Sequence, residues 1–201
     1  MAHVLVPAGR VERWVANFAD RHGDTDLSVT DGALTGHASD GSTFTARLPF
    51  ATEYAGRPTA VDLVTAIEPP DQWGVLLVRK GGFAVARLEK DAIIESKVGQ
   101  RHVQGRTKAG GQSQQRFARR RDNQARQAYE AAADHAARIL GSVTTIVTGG
   151  DHAAIAEVLA DPRLRKAESV GPWLPVPDPR RGVLEAAVRD AMSVAVDVHN
   201  A

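Results

Sequence analysis

The chain has 201 residues, of which 43% are hydrophobic, and its formal net charge is +1 at pH 7. These totals are typical of one globular domain and indicate no particular class of partner. Because the chain contains no cysteine, a disulfide framework, a cysteine-based zinc site and a thiol nucleophile are excluded. The sequence shows neither a signal peptide nor an apolar run of about 18 residues, so we expect a cytoplasmic protein without a membrane span.

The first 65 residues predict one helix followed by an antiparallel β-meander. Residues 9–22 show helical spacing of apolar side chains, and Gly23 ends the predicted helix; those side chains are Val11, Trp14, Val15 and Phe18. Short β-segments at 27–29, 33–34 and 43–48 follow, with Asp31-Gly32 and Asp40-Gly41 as turns between them. Residues 1–65 could be an extra sheet that completes the fold or a docking surface, and the sequence leaves both open.

Residues 73–140 predict three strands, a loop and a long helix. The strands span 73–78, 82–88 and 91–97, and residues 98–112, which are rich in glycine and lack a period, predict a mobile loop. A helix is predicted over 113–140, ending at Gly141. Its small or apolar side chains lie close to one face: Phe117, Ala125, Ala128, Ala132, Ala136 and Ile139.

The remaining residues alternate between strand and helix. A buried strand is predicted at 143–148, and a helix to about Ala160 follows, with Asp151 as its N-cap. An irregular, proline-rich stretch at 171–179 leads to a final helix over 181–196. This order predicts an α/β fold with one mixed sheet flanked by helices. We expect a single domain, 1–201, with an N-terminal part (1–65), a core (70–165) and a C-terminal part (166–201).

The charge of the chain is concentrated in one segment. Between Lys97 and Arg126 there are nine basic residues and one acid, Asp122, so this segment carries +8 and the rest of the chain −7. A basic element on an acidic body indicates a polyanion-binding site. Few aromatic residues lie nearby, which favours contacts with an RNA backbone over reading of its bases. The basic residues that we expect to bind RNA are Arg101, Arg106, Lys108, Arg116, Arg119, Arg120, Arg121 and Arg126.

The tripeptide Gly110-Gly111-Gln112 stands at the junction of the predicted loop and the arginine-rich helix. The run from Gly110 to Arg121, GGQSQQRFARRR, resembles the catalytic loop and following helix of the middle domain of archaeal and eukaryotic class-1 translation release factors. In that family the pattern is Gly-Gly-Gln-Ser, two variable residues, Arg-Phe-Ala-Arg, one variable residue and Arg. The resemblance extends over roughly residues 70–165 and implies the fold of that domain, with ribonuclease H-like layering.

The chain departs from those release factors by lacking the Asn-Ile-Lys-Ser codon-reading motif and space for further modules. It is most similar to the stand-alone actinobacterial release-factor-like peptidyl-tRNA hydrolases of ribosome quality control. Codon-independent release follows from the missing codon-reading domain. The resemblance implies hydrolysis of peptidyl-tRNA on the large ribosomal subunit in ribosome quality control, with Gly110, Gly111 and Gln112 as catalytic residues. The implied partners are rRNA and peptidyl-tRNA, with no cofactor, no DNA and no membrane, and we expect a monomer.

Other functions were weighed against this one. A non-catalytic ribosome-binding factor, or a binder of structured RNA, could use the same basic helix. The seven histidines show no metal-ligand spacing, and no Gly-x-Ser-x-Gly elbow predicts a serine hydrolase. A nuclease needs clustered carboxylates, and the basic segment offers only Asp122. Gly149-Gly150-Asp151 could hold a phosphate, although a turn with an aspartate cap is the favoured interpretation.

Overall fold

The computed structural model describes residues 2–100 and 112–201, with side chains described for residues 2–99 and 126–201. The strands of the described residues are β1 (Ala2–Val6), β2 (Thr25–Thr30), β3 (Ala33–Ala38), β4 (Thr43–Arg47), β5 (Gln72–Arg79), β6 (Gly82–Glu89), β7 (Ala92–Gln100), β8 (Thr145–Gly150), β9 (Glu168–Leu174) and β10 (Val194–His199). The helices are α1 (Val11–His22), α2 (Ala60–Thr65), α3 (Gln112–Leu140), α4 (His152–Leu159) and α5 (Arg181–Ala191). This mixture of helices and sheets confirms the predicted α/β class.

The chain divides into two compact units. Unit 1 comprises Met1–Pro70, Val170–Pro172 and Val188–Ala201, and unit 2 comprises Asp71–Ser169 and Trp173–Ala187. One five-stranded sheet has the order β1-β10-β4-β3-β2 and the other the order β7-β6-β5-β8-β9, where one mixed sheet was predicted. The predicted N-terminal part and core meet close to the boundary between the units, while the single domain stays a prediction.

Unit 1 is built on an antiparallel sheet and two helices. The predicted meander is confirmed, since β2, β3 and β4 pair in antiparallel order. Asp31 and Gly32 join β2 to β3 with positive φ angles of 50° and 68°, the conformation of a tight type I′ hairpin. Helix α1 packs its aromatic face on this sheet, and the core contains Phe18, Phe44 and Leu34.

The prediction that the final helix continues to Val196 is wrong. Helix α5 ends at Ala191, and Val194 begins strand β10, which pairs with both β1 and β4. Valines at 194, 196 and 198 recur with the period of two that belongs to a strand, and Val194 and Val196 are buried. Strand β1, which was not predicted, exists because β10 supplies its pairing partner from the distant end of the chain.

Unit 2 is built on a mixed sheet. Strands β5, β6 and β7 form an antiparallel meander, as predicted, and β8 lies parallel to β5. Helices α3 and α4 cover one face of this sheet. The core on that face joins Leu76 and Val85 of the sheet to Ala136 and Ile139 of α3 and Ile155 of α4.

Two segments predicted to be irregular are shorter in the structure than predicted. Strand β7 continues to Gln100 and helix α3 begins at Gln112, so the predicted loop 98–112 includes three strand residues, and residues 101–111 lie outside the described part of the chain. The irregular stretch predicted from 171 is also wrong in its first part, because Glu168–Leu174 forms strand β9. Pro172 is compatible with β9 because this strand lies at an edge of its sheet, where a missing N–H breaks no ladder.

The Gly149-Gly150-Asp151 turn is a close backbone contact with an aspartate cap. A Cβ at Gly149 would lie 2.3 Å from the Leu174 carbonyl oxygen, and Gly150 has φ +104°. The Asp151 carboxylate accepts hydrogen bonds from the Ala153 N–H (3.0 Å) and the Ala154 N–H (3.3 Å) at the start of α4. The favoured interpretation of this sequence is therefore confirmed.

Candidate functional site

Helix α3 begins at Gln112, the last residue of the Gly-Gly-Gln tripeptide. The two glycines that precede Gln112 in the sequence have low helix propensity. The first backbone N–H groups of a helix have no acceptor within it and lie at the positive end of its dipole. The other predicted residues that precede the helix lie outside the described part of the chain: Gly110, Gly111, Arg101, Arg106 and Lys108.

Four of the predicted RNA-binding arginines belong to the first turns of α3: Arg116, Arg119, Arg120 and Arg121. Their backbone is helical, and their side chains lie outside the described part. Residues three and four apart are neighbours on a helix surface, so Arg116 shares a face with Arg119 and Arg120. The sequence prediction of a basic track on this helix stays a prediction.

The second half of α3 is held against the sheet of unit 2 by small side chains. Ala128, Ala132, Ala136 and Ile139 are buried, which confirms the predicted face over these residues; Phe117 and Ala125 fall outside the described side chains. Ala128 lies 16 residues after Gln112, or about 24 Å along the axis at 1.5 Å per residue. The helix therefore carries Gln112 far along its axis from these buried contacts.

Arg126 is the predicted site residue whose side chain is described, and it is exposed. It lines an open cleft of about 550 Å³ beside Tyr129, Glu130 and Asp134 of the same helix and Glu157 of α4. The sign of the charge on α3 thus changes after Arg126. Arg126 is therefore the last residue of the predicted basic track.

Tyr129 and Asp161 are among the groups of this cleft whose pKa values are shifted. Burial raises the pKa of Tyr129, and the nearby carboxylates of Asp151 and Glu157 raise it further. Hydrogen bonds from the side chain and backbone of Arg163 lower the pKa of Asp161 to about 2. Arg163 also bonds Asp134 on α3 at 2.7 Å, so this cluster joins α3 to the turn after α4 by charge. We assign it a structural role because its carboxylates are already paired.

The strand that leads towards the Gly-Gly-Gln segment is held by an aromatic contact. Gly99 of β7 lies opposite Phe83 of β6, and a Cβ at Gly99 would be 2.3 Å from Phe83 Cε1. The other side of the contact is His135 of α3, whose ring stacks on Phe83 with centroids 5.5 Å apart. His135, expected to be a surface group of the helix, is half-buried. Phe83 therefore connects the strand before residues 101–111 to the helix after them.

An ion pair makes a second connection between the same two elements. The Arg138 guanidinium of α3 bonds the Glu95 carboxylate of β7. Sequence reasoning did not find this pair or the contact of Phe83 with Gly99, because both depend on which strand lies beside the helix. The alternation of side chains along β7 and the exposed position of Arg138 are compatible with the Arg138–Glu95 ion pair, but they do not predict it.

The described residues contain no group of three or more histidine, aspartate or glutamate side chains that could hold a metal ion. No helix in this described part is long and apolar enough to cross a membrane.

The sequence profile of one protein family matches residues 71–197, well over half of the 201-residue chain. The description of that family is Actinobacteria/chloroflexi VLRF1 release factor. The match includes all of unit 2 and helix α3, while residues 1–70 lie before it. A comparison with curated proteins finds no match. The chain therefore belongs to the Actinobacteria/chloroflexi VLRF1 release factor family, with a release-factor-like role in translation termination or rescue and an interaction with the ribosome.

Proposed function

We propose that this protein hydrolyses the ester bond of peptidyl-tRNA on the large ribosomal subunit, without reading a stop codon. The observation that carries the proposal is the Gly110-Gly111-Gln112 tripeptide, whose last residue is the first of helix α3, in a chain that belongs to a release factor family. The reaction releases the nascent chain by attack of water on the ester carbonyl.

Gln112 has two groups suited to this reaction. Its backbone N–H, at the start of a helix, can donate to the oxyanion that develops on the ester carbonyl. Its side-chain amide can orient the attacking water. Positioning and oxyanion stabilisation each contribute several kcal/mol to such reactions, so the protein needs no general base of its own. By resemblance to release factors, the terminal ribose hydroxyl of the tRNA assists.

The two glycines are suited to this segment because they have no side chain. Gly110 and Gly111 have no Cβ, so the backbone can pass close to RNA and adopt angles that other residues avoid. The basic residues on either side would then hold the segment against phosphates. The excess of +8 between Lys97 and Arg126 supports this role, because the rest of the chain is acidic.

Codon independence is proposed from the absence of the Asn-Ile-Lys-Ser motif in the sequence. A factor without codon reading would act on stalled ribosomes, which is the role of the quality-control hydrolases that the chain resembles. The rival function is a ribosome or RNA binder that uses the same helix and performs no chemistry.

The test is single-turnover release of a labelled peptide from peptidyl-tRNA bound to isolated large subunits, where no codon is read. We expect Gln112→Ala to slow release on the order of 10²-fold, because water is no longer positioned. Gln115→Ala is the matched control, since it removes the same side chain from a position where the release-factor pattern is variable. Co-sedimentation with large subunits measures binding of each variant.

The outcomes separate the proposal from its rival. Release by the wild type and by Gln115→Ala, together with slow release but normal binding by Gln112→Ala, supports hydrolysis through Gln112. Equal release by all three proteins would place the chemistry elsewhere in the chain. Binding without release by any of them would favour the non-catalytic factor.

A further inference from the structure

An open groove runs between strand β1 and helix α1 in unit 1. It consists of two depressions of about 610 Å³ and 330 Å³, which adjoin because Val4, Trp14 and Asn17 line both. Every residue that lines them belongs to unit 1. All of these residues lie before or after residues 71–197, the segment that matches the release factor family.

One wall of the groove is strand β1, which is an edge strand of its sheet. Strand β1 pairs with β10 on one side and is the first strand of its sheet, so no described strand pairs with the N–H and C=O groups of its other edge. No further backbone hydrogen bond to residues 2–6 is formed within the described chain. Its sequence, AHVLV, contains no proline or lysine, the residues that commonly protect such an edge, and its pairing with β10 is regular throughout.

The other wall of the groove is basic. Arg10 and Arg13 line its end near Val6, and Arg21 lines its end near Ala2. None of these three arginines forms an ion pair with any residue that the structure describes, whereas Arg47 in the same unit pairs with Asp197. No carboxylate lines either depression, so the positive charge of the groove is not neutralised from within.

The middle of the groove is apolar. Val4 is 38% exposed there, and the half-buried Trp14 lies beside it. The Trp14 indole is fixed by stacking on Phe18 (centroids 5.8 Å apart) and by edge contact with Phe44 (5.2 Å). The groove beside the edge strand β1 therefore has an apolar centre with arginines at both ends.

We propose that this groove binds an extended, acidic peptide segment of a partner protein, which adds to the sheet as a strand beside β1. The backbone of the segment pairs with the free edge, and its alternate side chains point towards α1. An apolar side chain at the middle position contacts Trp14 and Val4. Acidic side chains two residues before and two residues after it contact the arginines. Strand β1 has five residues, which corresponds to a paired segment of similar length.

Two other occupants fit the groove less well. A second copy of this chain that paired β1 with β1 would bring the two sets of unpaired arginines together, which like charge opposes. An RNA strand would use the arginines, but it would leave the strand edge unpaired. The Trp14 ring, with one face on Phe18, also offers little surface for stacking a base.

The experiment uses the full chain and a displayed library of random twelve-residue peptides. We expect enriched peptides to share an apolar residue with aspartate or glutamate at the second position on either side. The double variant Arg13→Glu, Arg21→Glu should weaken binding of a synthetic enriched peptide on the order of tenfold or more, since attraction becomes repulsion at two positions. Arg57→Glu is the matched control, because Arg57 is an exposed arginine of unit 1 away from the groove. All of the substituted arginines are exposed, so the variants should keep the fold, which circular dichroism checks.

A second measurement tests strand addition directly. N-methylation of alternate peptide bonds should abolish binding in one register and leave it in the other, because only one set of N–H groups faces β1. Absence of enriched acidic peptides, or binding that the double variant leaves unchanged, would overturn the proposal. Two further results would also overturn it. In the first, the wild type binds labelled single-stranded RNA but no peptide, and the double variant loses the RNA binding. In the second, the wild type forms a concentration-dependent dimer that the double variant does not form. The proposal does not depend on peptidyl-tRNA hydrolysis, which Gln112→Ala tests separately.

Discussion

Each of the two sheets contains a glycine directly opposite a phenylalanine, and the two pairs have different surroundings. In unit 1, Gly36 lies opposite Phe44, whose ring contacts Trp14 and Phe18 at centroid distances of 5.2 and 5.0 Å. In unit 2, Gly99 lies opposite Phe83. A phenylalanine ring lying over a cross-strand glycine covers backbone that has no side chain of its own.

The difference between the pairs lies in what each ring holds in place. Gly36 is buried, and Phe44 is closed in by the aromatic side chains of α1, so this pair belongs to the centre of a core. Gly99 is half-buried, and its phenylalanine lies against α3, the helix that begins at Gln112. The first pair should therefore act mainly on stability, and the second on the position of the proposed catalytic segment.

The largest expected effect is that of Gly36→Ala. The new Cβ would lie 2.2 Å from Phe44 Cε1, and the enclosed ring has no space to move, so we expect a loss of about 2–3 kcal/mol in the free energy of unfolding. Chemical denaturation measures this loss. In a Phe44→Leu background, which lacks the clashing atom, the same substitution should cost much less. An equal cost in both backgrounds would mean that the ring does not require the glycine.

A smaller loss of stability is expected for Gly99→Ala, about 1 kcal/mol, because the half-buried glycine gives the Phe83 ring more freedom to shift. If Gln112 is catalytic, single-turnover release should also fall about tenfold, since displacement of Phe83 disturbs both elements that lead to the tripeptide. Gly182→Ala is the control, because a Cβ there would meet no atom within 4 Å. Normal release by Gly99→Ala at reduced stability would make this pair purely structural, like its counterpart in unit 1.

The smallest expected effect is a dependence of stability on acid that arises in unit 2. The pKa of Asp161 is about 2 in the folded chain against an ordinary value of 3.8, so its stabilising contribution is present above pH 3.8 and is lost as the pH falls towards 2. Asp161→Asn keeps an acceptor for the Arg163 N–H but removes the charge, and should flatten the loss of stability in that range. Asp91→Asn is the control, since Asp91 forms no ion pair with any described residue. Identical acid unfolding of wild type and Asp161→Asn would contradict the assignment.

Local patterns in the sequence were sufficient to predict the elements that are determined by residues close together in the chain. The β2–β3 hairpin follows from Asp31-Gly32, which adopts the positive φ angles that its turn requires. The face of α3 that contacts the sheet follows from alanines at helical spacing, and the cap of α4 follows from Asp151. The resemblance around Gly110-Gly111-Gln112 led to the release factor family, because that run of residues is specific.

Elements that depend on a distant partner were missed. Strands β1 and β10 are edge and interior strands of one sheet, yet they come from opposite ends of the chain. Each strand is short. Because β10 begins only three residues after the end of α5, its valines were included in the predicted helix. Pro172 concealed β9 for a similar reason, since a proline is compatible with a strand only at an edge, and the sequence does not show which strands lie at edges.

The sequence by itself determined the α/β class, the order of most elements, the basic segment and the proposed catalytic tripeptide. Each of these depends on residues that are adjacent in the chain or on a regular spacing of side chains over a few residues. Only the tertiary structure decided that there are two sheets, that Phe83 and Glu95 link β7 to α3, and that three arginines without an ion pair to any described residue line a groove beside edge strand β1. These features arise from contacts between residues far apart in the chain. Such contacts are selected by burial and pairing over the whole fold, and no local pattern encodes them.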